Sequence, residues 1–189
     1  MISGVVLAAG TSSRFGSTKQ LATVEGKPLA QHAIDALRDA GVVDEIVVVT
    51  GHEADAVESA LALPTNARFV RNLAYREGQS TSLASALHAL DDASEGAVVL
   101  MADQPGVDPD VIRRLVARFH ETRRQVVRAS YRDGPGPALL SREIYADAGH
   151  LSGDVGARVL MASHPEWVED VEVDEPQPPD VDEPGDLPA

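Results

Sequence analysis

Two cations and a run of small residues stand together near the start of the chain. Residues 5–19 read VVLAAGTSSRFGSTK, so an apolar run gives way to small and hydroxyl-bearing residues, followed by Arg14 and Lys19. A backbone built from such residues can approach a ligand closely and direct several N–H groups at one anion. The pattern therefore predicts a loop that grips a polyphosphate, with both cations adding charge-assisted contacts.

The spacing in this loop excludes two widespread phosphate-binding motifs. Gly10 and Gly16 lack the G-x-G-x-x-G spacing of dinucleotide-binding proteins, and two residues separate Gly16 from Lys19, which rules out a Walker loop. The alternative interpretation is a flexible surface loop after an edge strand. Two cations directly after a buried N-terminal strand favour anion binding over that alternative.

A carboxylate follows a second strongly apolar run. Residues 96–102 read GAVVLMA, and Asp103 comes directly after them, before Gln104 and Pro105. Parallel sheets bind ligands at the carboxyl ends of their strands, and carboxylate oxygens suit a hard divalent cation near a triphosphate. The sequence predicts that Asp103 binds a metal ion; a simple turn before Pro105 is the alternative.

Alternating strand and helix patterns would position these residues. Apolar runs predict strands at 45–50, 68–71, 96–102, 126–131 and 167–173, in addition to the N-terminal one. Helical spacing predicts helices at 29–40, 54–63, 81–90, 109–119, 141–148 and 155–162, and 133–137 is expected to form a turn. This alternation is typical of a parallel sheet covered on both faces, hence of an α/β protein.

Composition limits the classes of partner. The 189 residues are expected to form one domain, residues 1–189, and no cysteine is available for disulfides or thiolate chemistry. No apolar run is long enough to span a membrane, and we expect a cytoplasmic location. Ten of the 30 acidic residues lie between Glu166 and Asp186, where there is no Lys or Arg. With a net charge of −14 and no basic stripe, nucleic acid is not an expected partner.

Five blocks of the chain resemble one known family. Residues 7–19 resemble the signature L-A-A-G-x-S-x-R-F-G-x-x-K of the MobA-like nucleotidyltransferases, in particular the molybdenum cofactor cytidylyltransferase (MocA-type) branch. The other four blocks follow in the family's order: N-x-x-x-x-E-G-x-x-x-S-L at 72–83, A-D-Q-P at 102–105, G-D-x-G-A-R at 153–158, and V-D-E-P-G-D-L at 181–187.

The resemblance implies a fold and a reaction. The fold is a three-layer α/β/α Rossmann-like sandwich with a mostly parallel sheet, similar to nucleotide-diphospho-sugar transferases. In the reaction, a substrate phosphate attacks the α-phosphate of a nucleoside triphosphate and releases pyrophosphate, with Mg²⁺ as the cofactor. The implied partners are CTP as the favoured nucleotide, a phosphorylated small-molecule acceptor such as the molybdenum cofactor, and a molybdoenzyme or its chaperone.

The resemblance also implies roles for individual residues. The catalytic residues would be Arg14, Lys19 and Asp103, and the metal ligands Asp103 and Asp182. Nucleotide binding would involve Leu7, Ala8, Ala9, Gly10, Thr11, Ser12, Ser13, Arg14, Lys19, Gly78, Ser80 and Ser82. The second substrate would contact Gly136, Asp154 and Arg158. For Ser80 and Ser82, simple helix capping is the alternative, and for Asp154 a helix N-cap.

Some features depart from the family or leave its activity open. Pro135 and Pro137 flank Gly136 where the family usually has a basic and a larger polar residue, and Glu183 replaces a threonine. Composition predicts disorder for 174–189, whereas the resemblance predicts that this acidic segment packs back on the sheet up to about Leu187. The alternative functions are a nucleotide-dependent oxidoreductase and a noncatalytic nucleotide-binding regulator.

Overall fold

The computed structural model describes residues 1–12, 15–153 and 156–187. Within these ranges the strands are β1 (Ile2–Ala8), β2 (Thr23–Val24), β3 (Lys27–Pro28), β4 (Glu45–Thr50), β5 (Ala67–Arg71), β6 (Gly96–Met101), β7 (Val126–Tyr131), β8 (Gly134–Ser141) and β9 (Val168–Val173). The helices are α1 (Leu29–Ala40), α2 (Ala54–Ala60), α3 (Gln79–Ala89), α4 (Pro109–Thr122), α5 (Tyr145–Gly149) and α6 (Arg158–Ser163). Among the described residues, none of the helices combines the length and apolar character needed to cross a membrane.

Seven strands form one mostly parallel sheet in the order β5-β4-β1-β6-β8-β7-β9. Strand β8 pairs antiparallel with both of its neighbours, β6 and β7, and the remaining pairs are parallel. Strands β2 and β3 form a separate small ladder. The central strands β1 and β6 are neighbours, so the residues that follow them meet at one edge of the sheet.

Helices cover both faces of this sheet because its central strands are apolar on both faces. Along β1, Ile2, Val6 and Ala8 pack in the cluster that contains α1 and α4, whereas Val5 and Leu7 pack in the cluster that contains α3 and α5. The alternation follows from the two-residue period of a strand. The predicted three-layer α/β/α fold with a mostly parallel sheet is therefore confirmed.

Element boundaries agree with the predictions for two strands and one helix whose apolar patterns are clear. The strands predicted at 45–50 and 126–131 and the helix at 29–40 have those bounds, and Gly41 ends α1 with φ of +66°. Helix α3 begins two residues earlier than predicted, at Gln79, and α2 ends at Ala60. The helix predicted from Ser141 is a short 3-10 turn that leads into α5.

The turn predicted at 133–137 is shorter than predicted: the turn lies at 132–133, so that only Asp133 of the predicted range belongs to it, and β8 begins at Gly134. Its two prolines are tolerated since they lie where the ladder is irregular: the register with β7 shifts between Arg128 and Ser130, and pairing with β6 begins only at Ala138. A proline that lacks an N–H is accepted in a sheet at such a bulge or strand end. The Gly and Pro residues at 134–137 therefore led to the prediction of a longer turn than the structure has.

Close packing at Gly51, directly after β4, yields a first prediction. A Cβ on this residue would lie 2.7 Å from Tyr75 Cβ and 2.9 Å from Ala9 Cβ, and neither atom can rotate away. Gly51→Ala should therefore lower the free energy of unfolding by about 1–3 kcal/mol, measured by urea denaturation. Gly149→Ala is the control, because no atom lies within 4 Å of its added methyl group. Equal stability of both variants would contradict the packing argument.

Candidate active site

A cleft of about 570 Å³ opens at the carboxyl ends of β1 and β6. Its floor and walls come from four parts of the chain: the loop after β1, the 3-10 turn Tyr75–Glu77 with the start of α3, the end of β6, and the C-terminal segment. The lining residues are Leu7, Ala9, Gly10, Thr11, Ser12, Lys19, Gln20, Tyr75, Arg76, Glu77, Gly78, Gln79, Ser82, Met101, Ala102, Asp103 and Asp182.

The loop after β1 supplies one wall of the cleft. Gly10 and Thr11 are exposed, and Ser12 adopts a left-handed conformation with φ of +53°. Non-glycine residues hold such a backbone only where their surroundings fix it. The Ser12 hydroxyl accepts a hydrogen bond from Lys19 N at 3.1 Å, which connects the two ends of this loop.

Lys19 lies between two carboxylates that are far apart in the sequence. Its Nζ donates to Asp103 Oδ2 at 2.7 Å, to Asp182 Oδ1 at 3.2 Å and to the carbonyl oxygen of Val181 at 3.1 Å. The Lys19 side chain is only 13% exposed and that of Asp103 20% exposed. The structure therefore brings together a cation and two acids that the sequence analysis selected from separate blocks.

The two carboxylates have the donor chemistry that a divalent cation needs. Asp103 Oδ1 is buried and has no hydrogen-bond partner among the described residues, although its Oδ2 is paired with Lys19. An orphaned buried carboxylate oxygen is costly unless something binds it. Within the part of the chain that the structure describes, no group of three or more His, Cys, Asp or Glu side chains is placed to hold a metal ion. Two carboxylates fit Mg²⁺, which usually completes its shell with phosphates and waters.

The C-terminal segment is fixed at this site by its backbone. Val181 N donates to the carbonyl of Asp103 at 2.9 Å, and the Val181 side chain is fully buried against Val24 and Leu29. Asp186 Oδ2 accepts from the backbone N–H groups of Asp182 and Glu183 at 3.0 and 2.8 Å. The N–H groups of Glu183 and Asp182 lower the pKa of the Asp186 carboxyl. Asp182 itself lines the cleft.

A third acid stands close to the cluster. Partial burial raises the pKa of the Asp180 carboxyl, and the negative charges of Asp103 and Asp182 raise it further, whereas a hydrogen bond from the Gln104 side chain and the charge of Lys19 oppose this shift. The acids around Lys19 therefore outnumber it, and the cluster favours the approach of additional positive charge.

Of the small residues at the start of α3, some line the cleft and others are buried away from it. Gly78 and Ser82 line the cleft, and the Ser82 hydroxyl accepts from the buried Asn72 side chain at 3.0 Å. Ser80 is fully buried and does not line the cleft: its hydroxyl donates to the carbonyl of Gly153 at 2.8 Å. Ser80 thus connects α3 to the segment that precedes α6. Ala8 is also buried outside the cleft lining.

The residues expected to contact a second substrate are not gathered in this cleft. Arg158 is exposed at the first position of α6. Gly136 lies in β8, where Tyr131 packs so closely that an added Cβ would lie 2.3 Å from its ring. Asp154 lies outside the described residues, as do Ser13 and Arg14 of the first loop.

Several lining residues were not selected from the sequence. Gln20 is buried beneath the loop although a polar residue after Lys19 gives no such signal. Tyr75 and Glu77 come from a short 3-10 turn, and Met101 Sδ accepts from the Gln79 amide at 3.1 Å. Irregular backbone has no periodicity by which a sequence could reveal it. The only signal for Tyr75, Glu77 and Gln79 was therefore the resemblance of residues 72–83 to the family.

Comparison with known proteins shows which family and which proteins this chain is similar to. The family model described as the MobA-like NTP transferase domain matches residues 4–168. A probable molybdenum cofactor guanylyltransferase of Thermococcus sibiricus is 32% identical over 131 residues, which cover 69% of this chain and 63% of that protein. Nicotine blue oxidoreductase of Paenarthrobacter nicotinovorans is 30% identical over 180 residues, covering 90% of this chain and 85% of that protein.

A solved structure is similar over nearly the whole length. Rv0371c from Mycobacterium tuberculosis H37Rv superposes with a TM-score of 0.86 at 33% identity and covers 98% of this chain and 94% of its own. The same protein is also described in complex with manganese, at 31% identity and a TM-score of 0.80 over 95% of this chain and 91% of its own. Proteins with this fold therefore include one that holds a divalent metal ion.

The orphaned carboxylate oxygen gives the second prediction. Asp103→Asn keeps the shape of the side chain but removes the charge that binds a hard cation, so Mn²⁺ affinity should fall at least about tenfold, as measured by electron paramagnetic resonance titration. The melting temperature without metal should change little. Asp110→Asn is the control, since Asp110 is exposed in the first turn of α4, away from the cleft. Unchanged Mn²⁺ affinity in Asp103→Asn would show that the metal binds elsewhere.

Proposed function

Because the chain belongs to the MobA-like NTP transferase family, we propose that it transfers CMP from CTP to a phosphorylated small molecule, with the molybdenum cofactor as the favoured acceptor. The observation that carries the proposal is the Lys19 ammonium held between the carboxylates of Asp103 and Asp182 at the edge of the cleft. A cation that is largely sheltered from solvent beside a loop of small residues supports a triphosphate ligand, and the two carboxylates support its divalent counter-ion.

The proposed reaction requires little proton transfer from the protein. A phosphate oxygen of the acceptor forms a bond to the α-phosphorus of the nucleotide, and the bond from that phosphorus to the bridging oxygen breaks, so that pyrophosphate leaves. The attacking phosphate is ionised at neutral pH and needs no side-chain base. Rate enhancement must then come from positioning and from neutralisation of charge.

The chain's own residues divide this work. Lys19, which is sheltered from solvent, would neutralise charge on the triphosphate and on the departing pyrophosphate. Asp103 and Asp182 would hold a divalent ion, which when bound acts as a Lewis acid on phosphate oxygens. Leu7, Ala9 and Gly10 line the cleft, and the base would lie against them.

Loss of Lys19 tests the phosphate role. Lys19→Ala should reduce kcat/KM for pyrophosphate release by about 10²–10³-fold, the cost of losing one charged transition-state contact. Lys27→Ala is the matched control, because Lys27 is an exposed lysine whose ion pair with Asp35 lies outside the cleft. The assay is pyrophosphate release from CTP in the presence of Mg²⁺ and molybdenum cofactor. Turnover of Lys19→Ala within tenfold of the wild type would contradict the proposal.

The choice of nucleotide depends on Ala9. The guanylyl branch of the family typically has glycine at this position, and Ala9, which is 3% exposed, is among the residues that line the cleft. A methyl group there narrows the space for a purine, and one such contact is worth about 10–200-fold in affinity. We expect CTP to bind more tightly than GTP in isothermal titration with Mg²⁺.

Substitution of Ala9 makes this expectation specific. Ala9→Gly should reduce the preference for CTP by about tenfold or more, whereas Ala97→Gly, a buried strand alanine outside the cleft lining, should preserve it. The similarity to a probable guanylyltransferase makes GTP the competing choice. Equal affinity of the wild type for GTP and CTP would contradict the steric argument without affecting the transferase proposal.

A second candidate function is supported by one relative. Nicotine blue oxidoreductase is similar over 90% of this chain, which favours nucleotide-dependent oxidoreduction as the alternative. The sequence contains no G-x-G-x-x-G motif for a dinucleotide. Thermal-shift measurements with CTP, GTP and NADPH, each with and without Mg²⁺, discriminate the two. Stabilisation by NADPH alone would favour the oxidoreductase.

A further inference from the structure

Among the described residues that line the cleft, Gln20 is the most deeply buried polar one, with 3% of its surface exposed. It is the middle residue of the 3-10 turn Lys19–Leu21. Consecutive residues of such a turn point in different directions, so the Lys19 side chain extends to Asp103 while that of Gln20 extends beneath the first loop.

The Gln20 amide uses both of its polar atoms on that loop. Its Nε2 donates to the carbonyl of Gly10 at 3.0 Å, and its Oε1 accepts from the Ser12 hydroxyl at 3.1 Å. The same Ser12 hydroxyl accepts from Lys19 N at 3.1 Å. One buried side chain therefore connects three points: the loop carbonyl, the left-handed Ser12 and the backbone that carries the lysine.

The other side of the turn is also anchored. The Thr18 hydroxyl donates to Glu53, and Leu21 N donates to the carbonyl of Thr18 at 3.0 Å. With Thr18 fixed from one side and Gln20 from the other, the backbone of Lys19 has little freedom. Such preorganisation holds the Lys19 ammonium group in place before a ligand binds, so that less reorganisation is needed at the moment of reaction.

We propose that Gln20 is a positioning residue that fixes the loop after β1 at Gly10 and Ser12 and sets the direction of Lys19. Its importance for nucleotide affinity rests on the proposed function, since it acts through Lys19 and the loop rather than through contact with the reacting atoms. An apolar residue of similar size would leave the Gly10 carbonyl and the Ser12 hydroxyl without these partners.

The chain provides a matched control. Gln31 in α1 is also buried, and its amide makes a comparable set of bonds: Nε2 donates to the carbonyl of Ala62 at 3.0 Å and to Asp35 at 3.1 Å, and Oε1 accepts from Ala62 N at 2.8 Å. Gln31 does not line the cleft. Gln20→Ala and Gln31→Ala thus remove similar buried amides, only one of which contacts the loop.

Two measurements test the proposal. In hydrogen–deuterium exchange without nucleotide, Gln20→Ala should accelerate exchange of the amides at 19–21 by about tenfold, since the bond from Lys19 N to Ser12 loses its support, and Gln31→Ala should not. In titrations of CTP with Mg²⁺, Gln20→Ala should weaken binding by about tenfold in the wild-type background. In a Lys19→Ala background it should weaken binding by less than about threefold, because the residue it positions is absent.

The outcomes separate the inference from the function on which it rests. Unchanged exchange at 19–21 in Gln20→Ala would overturn the positioning role. An equal loss of CTP affinity in both backgrounds would overturn the claim that Gln20 acts through Lys19. If the wild type bound neither CTP nor GTP while exchange in Gln20→Ala still accelerated, the positioning role would be supported and the proposed transferase function contradicted.

Discussion

The ion pairs of Lys19 connect parts of the chain that are more than 160 residues apart. One ammonium group joins the 3-10 turn Lys19–Leu21, Asp103 just beyond the end of β6, and the C-terminal segment. Each of the three elements is held independently: β6 by its place beside β1, the turn by Thr18 and Gln20, and the C-terminal segment by the burial of Val181. The ion pairs therefore report the arrangement of the whole edge of the sheet and do not by themselves create it.

This arrangement follows from the parallel sheet. Two neighbouring parallel strands end at the same edge, so whatever follows β1 and whatever follows β6 must meet there. The reversal of strand direction at β8 lies next to β6, and Asp103 stands at the end of that strand. Apolar runs buried on both faces thus produce a polar cleft, because polar groups are accommodated only where the strands stop.

The sequence predicted those parts of the molecule that depend on local patterns. Strands β4 and β7 were assigned correctly because each contains a short run of apolar residues, and helix α1 because its apolar residues recur at helical spacing. Asp103 could be selected because it closely follows a buried strand, and Lys19 because it is a cation at the end of the small-residue loop after β1. Gln20 could not, since its burial depends on the loop folding over it, and neither could the contact of Ser80 with Gly153, since nothing in the spacing of hydroxyls reveals a partner 73 residues away. The prolines of β8 made the predicted turn too long. Pro and Gly favour turns locally, but pairing with β7 across the bulge extends the strand through Pro135 and Pro137.

The charges of the cleft also constrain its ligand. A protein with a net charge of −14 repels a free polyanion at long range, and the carboxylates of Asp103, Asp180 and Asp182 around Lys19 outnumber this one ammonium group. A triphosphate alone would meet these carboxylates as like charges, whereas a divalent cation alone would leave the Lys19 ammonium beside it. A triphosphate that carries its cation has both signs, and it can direct the cation to the acids and the phosphate oxygens to the lysine and the loop N–H groups. The phosphate oxygens would then replace the carboxylates as partners of Lys19, and the cation would replace Lys19 as the partner of the carboxylates. Each charged side chain would therefore keep an opposite charge beside it.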